Sequence, residues 1–260
     1  MNSQLRNDGP RRILVVGAGG AACSALPVLF RQMCHSRREG DELIIMDGDV
    51  YEDKNVLRQF PAAGNSGVNK AEAWAQLLED QRPDGAEVGL SHVSAYMDEA
   101  DGTLPPDMAR PTLIWVMVDN HPARRAAVAH ARRMSVPVIS AANESRSAEA
   151  WLWLPVLEGS PADPFVWYPE MLSATDNSPL HREHCTDTAV IEASPQTPAS
   201  NMMAATAGMM LFNTAFGDGG VSFPFTPCHV RLERSHAEVR RIGDLLFGDQ
   251  PGWEQEHMVL

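Results

Sequence analysis

A short apolar run, Ile13 to Val16, ends in Gly17-Ala18-Gly19-Gly20-Ala21-Ala22 and leads into a helical pattern extending to about Ser36. This glycine turn constrains the fold more than any other feature of the 260 residues. A GxGxxA turn between a strand and a helix suits the first β-α unit of a nucleotide-binding sheet. Gly17 permits the tight turn, Gly19 lets backbone approach a phosphate, and Ala22 allows close helix packing. The helix start then offers unpaired N–H groups to an anion. Gly20 belongs to the same phosphate-facing set. The turn by itself does not choose between NAD, FAD and ATP, and a ligand-free small-residue turn is the plain alternative.

The rest of the first half alternates in the same way. Leu43 to Met46 reads as a second strand, Lys70 to Leu78 as a helix, and Val88 to Val93 as a third strand. Leu113 to Val118 is continuously apolar, as for a strand buried on both faces, and it is followed by a helix over His121 to Met134 and a strand over Pro137 to Ser140. The order predicts an α/β fold: a doubly wound, mostly parallel, Rossmann-like sheet. The second half is less regular. Trp151 to Val156 reads as a strand, and 158–198, rich in Pro, Ser, Asp and His, as a crossover loop or lid. Asn201 to Phe216 reads as a buried helix and His229 to Arg234 as an extra C-terminal strand. Asp98 to Pro111 is a surface loop. No clean boundary appears, so a single domain is expected, with a nucleotide-binding core over 13–143 and a C-terminal helix and strands over 199–260. Trp151, Trp153 and Trp167 read as core packing, with a partner-docking groove as the alternative.

Charge and cysteine usage narrow the function. Lys and Arg number 21 against 34 Asp and Glu, for a formal net charge of -13. That disfavours nucleic acid and anionic membranes as partners. No apolar run reaches the ~20 residues a bilayer needs, and the polar first twelve residues lack a signal-peptide core. Cys23, Cys34, Cys185 and Cys228 are scattered and form no CxxC pair. A reduced, cytoplasmic setting is expected.

Asp47 ends the second strand, where an acidic residue commonly binds ribose, and Asp49 follows. Next come Asn55, Arg58, Gln59 and then Gly67-Val68-Asn69-Lys70-Ala71, that is, DxDxVxxxNxxRQ followed by GxxKA. An oxidoreductase has no use for this cluster of amides and cations, whereas an enzyme that must neutralise a triphosphate has. Plainer roles exist for each residue: Asn55 and Gln59 as loop caps, Arg58 and Lys70 as solvated charges, Asp119 as a helix cap.

Together with Asp119-Asn120-His121-Pro122-Ala123-Arg124 and Pro137-Val138-Ile139-Ser140-Ala141, the chain resembles the ThiF/MoeB/ubiquitin-activating-enzyme superfamily over 13–143. More narrowly it resembles a short bacterial ThiF-like member. The resemblance implies ATP-dependent adenylation of the C-terminal glycine of a ubiquitin-like or sulfur-carrier β-grasp protein. It implies that Arg58 and Lys70 grip the phosphates, that Asp119 holds Mg²⁺, that Asp47 binds ribose, and that Asn55 and Gln59 orient the phosphate chain, with Asp49 supporting that loop. It also implies a homodimer that lends an N-terminal arginine to the neighbouring site; Arg6 is favoured over Arg11 and Arg12 because it sits clear of the first strand. Many relatives hold zinc on two CxxC pairs, absent here, so no structural zinc is expected. Cys185, in His181-Arg182-Glu183-His184-Cys185, stands where a transferable thiol would stand, and His184 would activate it. His181, His184 and Cys185 as metal ligands form the alternative. A conjugating enzyme or a sulfurtransferase would receive the product. A Rossmann oxidoreductase using NAD or FAD, and a catalytically silent ThiF-like binding protein, are the competing readings.

Overall fold

The computed structural model describes residues 9–97, 104, 108, 110–143, 146–169, 197–216, 227–233 and 236–247. One sheet of eight strands organises them, in the order β3-β2-β1-β4-β5-β6-β7-β8. The strands are β1 (Arg12–Val16), β2 (Glu42–Met46), β3 (Gly89–Val93), β4 (Leu113–Val116), β5 (Val138–Asn143), β6 (Ser147–Trp153), β7 (Pro227–Glu233) and β8 (Ala237–Arg241). β1 to β5 run parallel, as the alternating pattern predicts. β6, β7 and β8 extend the sheet as an antiparallel meander. Sequence signals mark one of the two terminal strands and miss β8, whose Ala237–Arg241 stretch is exposed and charged.

Strand alternation assigns each helix to a face. Ile13, Val15, Leu43, Ile45, Leu113 and Trp115 pack on one side, under α1 (Gly20–Ser36), α2 (Lys70–Asp80) and α5 (Pro198–Phe216). Leu14, Val16, Ile44, Met46, Ile114 and Val116 pack on the other, under α3 (His121–Met134), with Phe165 of the one-turn helix α4 (Pro164–Trp167). Strands apolar on both faces are what a sheet covered twice requires. A last short helix, α6 (Ile242–Phe247), follows β8.

The largest departures from expectation lie at β6 and the segment after it. β6 spans Ser147–Trp153 rather than Trp151–Val156. Pro155 has no N–H to offer the ladder and opens a 3-10 turn over Pro155–Leu157, while the alternation Ala148, Ala150, Leu152 carries the strand's core face. The first part of the expected lid also packs on the sheet: Asp163 caps α4, Phe165 meets Trp151 edge-on, and the Tyr168 hydroxyl donates to Glu149. Trp151 and Trp153 are core residues, and Trp167 packs edge-on against His229. No helix among the described residues is long and apolar enough to cross a membrane.

Candidate functional site

The strand order steps from β1 outward in both directions, to β2 and to β4, so the crevice beyond the carboxyl ends of β1 and β4 is the switch point of the sheet. The expected residues converge there. Gly17 makes the turn at φ +95° and donates its N–H to the Met46 carbonyl at 2.9 Å. A Cβ on Gly17 would stand 2.6 Å from the Met117 carbonyl oxygen, so the β1 and β4 exits touch at this residue. Gly19 takes the cap position of α1 with no side-chain cap bond, and no acidic residue stands in the first turn. The N–H groups of that turn therefore retain capacity for an anion.

Asp47 closes the turn from the β2 side. Its Oδ2 accepts the Ala18 N–H at 2.6 Å and its Oδ1 accepts the Asp49 N–H at 2.8 Å. Each oxygen keeps a lone pair for a ribose hydroxyl. Burial raises the Asp47 pKa, against the lowering effect of nearby Lys70 and the two N–H bonds.

The β2–α2 connection folds back over the crevice. Asn69 staples it: its Nδ2 donates to the carbonyls of Asp47 and Asp49 at 2.9 and 3.0 Å, while its Oδ1 caps α2. This places Lys70 at the base of the loop. Lys70 is only 8% exposed, so the plain reading as a solvated cation fails. Its Nζ donates to Asp49 Oδ2 at 2.9 Å, and the Tyr96 hydroxyl donates to the other Asp49 oxygen. Farther along, Glu52 and Asn55 form a capping box around the 3-10 turn Asp53–Leu57: the Glu52 N–H donates to Asn55 Oδ1 at 2.8 Å. Asn55 thus shapes the loop through its Oδ1. Arg58 and Gln59 follow, and the backbone N–H of each donates to the Asn55 carbonyl. The loop rests on α1 where the Phe60 N–H donates to Cys23 Sγ at 3.3 Å. Gln59 is buried beside Gly19.

Across the crevice, Asp119 follows β4 and stays exposed. It does not cap α3: Asn120 does, accepting the Ala123 N–H at 2.9 Å. Asp119 thereby keeps both oxygens available for a cation, with a long contact from Asn120 Nδ2 at 3.4 Å beside it. Arg124 rigidifies this corner by donating to the Val118 carbonyl at 2.7 Å.

Sequence reading missed one contributor. α5 lies beside α1 in parallel, with Asn201 against Gly20 at one end and Asn213 accepting from Gln32 at the other. Two helix N-termini therefore open on the same crevice. In the sequence the signal for Asn201 is slight: an amide near the start of a charge-free helix that also carries Thr206, Asn213 and Thr214.

Cys185, His181, His184 and Arg6 lie outside the described residues. The described cysteines are poor nucleophiles: burial raises the thiol pKa of Cys34, and pushes those of Cys23 and Cys228 up to about 11 and about 12. Arg11 is committed elsewhere, buried in an ion pair with Asp41 and bonded to Ser36, which removes it from the candidates for a partner's site.

The profile of the ThiF family matches residues 4–214. The chain belongs to the ThiF family. That displaces the NAD- or FAD-dependent oxidoreductase reading, which rested on the glycine turn alone. No curated protein matches the chain. Among solved structures, E. coli MccB with ATP is similar at TM-score 0.58 and 16% identity, covering 93% of this chain and 65% of that one. The microcin C7 biosynthetic enzyme MccB in complex with N-formylated MccA gives TM-score 0.59 and 16% identity, covering 92% and 65%. PaaA gives TM-score 0.55 and 18% identity, covering 89% and 64%. These likenesses show the shared Rossmann-like fold, and the chain spans about two thirds of the MccB chains' length.

Proposed function

We propose that this ThiF-family protein adenylates a substrate carboxyl group with ATP, and that the carboxyl is the C-terminal glycine of a ubiquitin-like or sulfur-carrier β-grasp protein. One observation carries the reading: a buried lysine, an uncapped helix N-terminus and an exposed carboxylate surround one crevice at the switch point. ATP suits these residues. The α1 N-terminus and Lys70 take the phosphates, Asp47 takes the ribose, and Asp119 offers the hard oxygen ligands that Mg²⁺ prefers. An MccB structure with ATP and another in complex with N-formylated MccA are consistent with this assignment.

In the reaction, a carboxylate oxygen of the partner attacks the α-phosphorus of ATP. The bond from that phosphorus to the oxygen bridging to the β-phosphate breaks, and pyrophosphate leaves with the bonding pair. The product is an acyl-adenylate. The enzyme supplies position and charge rather than a nucleophile of its own. Lys70 has three donors, so it can keep Asp49 and still reach a phosphate oxygen. Arg58 neutralises the departing pyrophosphate, and Gln59 lines the path beside Gly19. Leu57 and Phe60, exposed on either side of Arg58 and Gln59, offer the partner's tail an apolar rim. The protein works as a homodimer in the cytoplasm, with Arg6 completing the neighbouring site.

Asp119→Asn tests the metal assignment. Mg²⁺-dependent pyrophosphate exchange should fall at least ~10-fold with an unchanged melting temperature, because one cation ligand weakens while Asn120 keeps the α3 cap. Exchange at the wild-type Mg²⁺ dependence would remove Asp119 from the site.

A second half-reaction follows from Cys185. Its thiolate would attack the acyl carbon, release AMP and leave a thioester for a conjugating enzyme or sulfurtransferase. Cys185→Ala should keep pyrophosphate exchange and lose the thiol-sensitive enzyme–partner adduct on a non-reducing gel. An adduct that survives Cys185→Ala but disappears in Cys228→Ala would reassign the thiol; no adduct in any variant would mean that the adenylate passes on directly.

A further inference from the structure

Two side-chain oxygens are buried beside the α1 N-terminus without a donor among the described residues: Gln59 Oε1 and Asn201 Oδ1. Gln59 Nε2 stands 4.0 Å from the Cβ position of Gly19. The Asn201 amide is far closer to Gly20, with Oδ1 2.9 Å from that residue's Cβ position and Nδ2 nearer still. Only glycine at position 20 makes room for it. Asn201 is 2% exposed and comes from α5, a helix separated from the glycine turn by most of the chain.

Asn201 is not needed to cap its own helix. Thr197 does that work and Ser200 answers it reciprocally: the Ser200 Oγ accepts the Thr197 N–H at 3.0 Å and the Asn143 Nδ2 at 2.9 Å. Thr197 Oγ1 in turn accepts the Ser200 N–H at 3.1 Å. The backbone N–H of Asn201 is satisfied by the Thr197 carbonyl at 3.0 Å. What remains is a carboxamide with an unfilled acceptor, set between two helix N-termini. Buried polar atoms are almost always paired, so an unfilled one against a nucleotide-binding turn marks a place where a ligand completes the bonding.

We propose that Asn201 is a nucleotide contact contributed by α5: its carboxamide meets the phosphate–ribose part of ATP at the α1 N-terminus, opposite Gln59. The chemistry is complementary, since the amide N–H groups donate to phosphate oxygen and Oδ1 accepts a ribose hydroxyl. This inference rests on the adenylation reading and adds to it a residue outside the 13–143 core.

The test is calorimetric titration of the full chain with α,β-methylene-ATP and Mg²⁺, alongside thermal melts without nucleotide. Asn201→Asp is nearly isosteric. A carboxylate beside two helix N-termini favours the empty fold but repels phosphate. Expected are an undiminished melting temperature and at least a ~10-fold weaker Kd. A purely structural role would leave Kd unchanged. Asn201→Ala keeps the test alive where the charged variant does not fold, with at least ~5-fold weaker binding expected. Wild-type affinity in a folded variant overturns the contact alone. A wild-type protein that binds no nucleotide overturns the adenylation reading first, and the contact with it.

Discussion

Pyrophosphate exchange should fall ~10²-fold or more in Lys70→Ala and in Arg58→Ala, measured with the cognate carboxyl substrate and saturating ATP. The reason is charge in a confined place. Lys70 is buried at the base of the β2–α2 loop, where water screens it poorly, and its Nζ holds Asp49 Oδ2 at 2.9 Å. Removing the ammonium subtracts a cation from the phosphate site. It would also leave the Asp49 carboxylate, half exposed, to repel an incoming triphosphate. Arg58 is partly exposed and follows directly on the Asp53–Leu57 turn, so its loss should reach the rate through the departing pyrophosphate more than through ATP binding. The two variants should therefore separate: Lys70→Ala raises KM for ATP and lowers kcat, whereas Arg58→Ala chiefly lowers kcat. Lys70→Arg is expected to rescue poorly, because a planar guanidinium does not fit a slot built around an ammonium. Wild-type exchange in both alanine variants would end the assignment of these residues.

Gly17→Ala should destabilise the protein by about 2–5 kcal/mol. Two penalties add. At φ +95° any side chain is strained, and this one would also lie 2.6 Å from the Met117 carbonyl oxygen and 2.9 Å from Val118 Cγ1. Both clashing groups belong to the β4 exit, which Arg124 and the Met117-to-Val16 backbone bond hold in place, so little can yield. Gly64→Ala is the internal control. Gly64 has φ +81° but nothing within 4 Å of its Cβ position, so its cost should stop at about 1–2 kcal/mol. Urea denaturation of the two variants separates conformational strain from the clash. Equal midpoints would show that the β1 and β4 exits do not pack as described.

The parallel half of the molecule is written in local signals. β1, β2, β4 and the helices between them announce themselves by apolar runs of strand length, the glycine turn and the breaks after each strand. Such signals need no knowledge of distant residues. They also brought Asp47, Asn55, Arg58, Gln59 and Lys70 into one loop, because these positions lie close along the chain. The loop's motif spacing carries the family resemblance by itself.

What those residues are depends on contacts made in three dimensions. A lysine after Asn69 reads as a surface charge until the Asn69 amide pulls the loop back onto Asp47 and Asp49 and buries it. Asn120 and Asp119 are equally good caps on paper, and only the backbone geometry after β4 gives the cap to Asn120 and leaves Asp119 open. The burial that raises the thiol pKa values of Cys228 and Cys23 is likewise set by packing. β6 and β8 shifted or escaped because antiparallel pairing tolerates short polar and alanine-rich stretches that carry no strand signal alone. Asn201 depends most on the fold. It stands far from Gly20 along the chain, and the two meet because Gly208 lets α5 press onto Trp115, setting α5 parallel to α1 with both N-termini over the same crevice. Packing between helices far apart in the chain leaves only composition in the sequence, and composition cannot say which residue of a helix will meet the glycine turn.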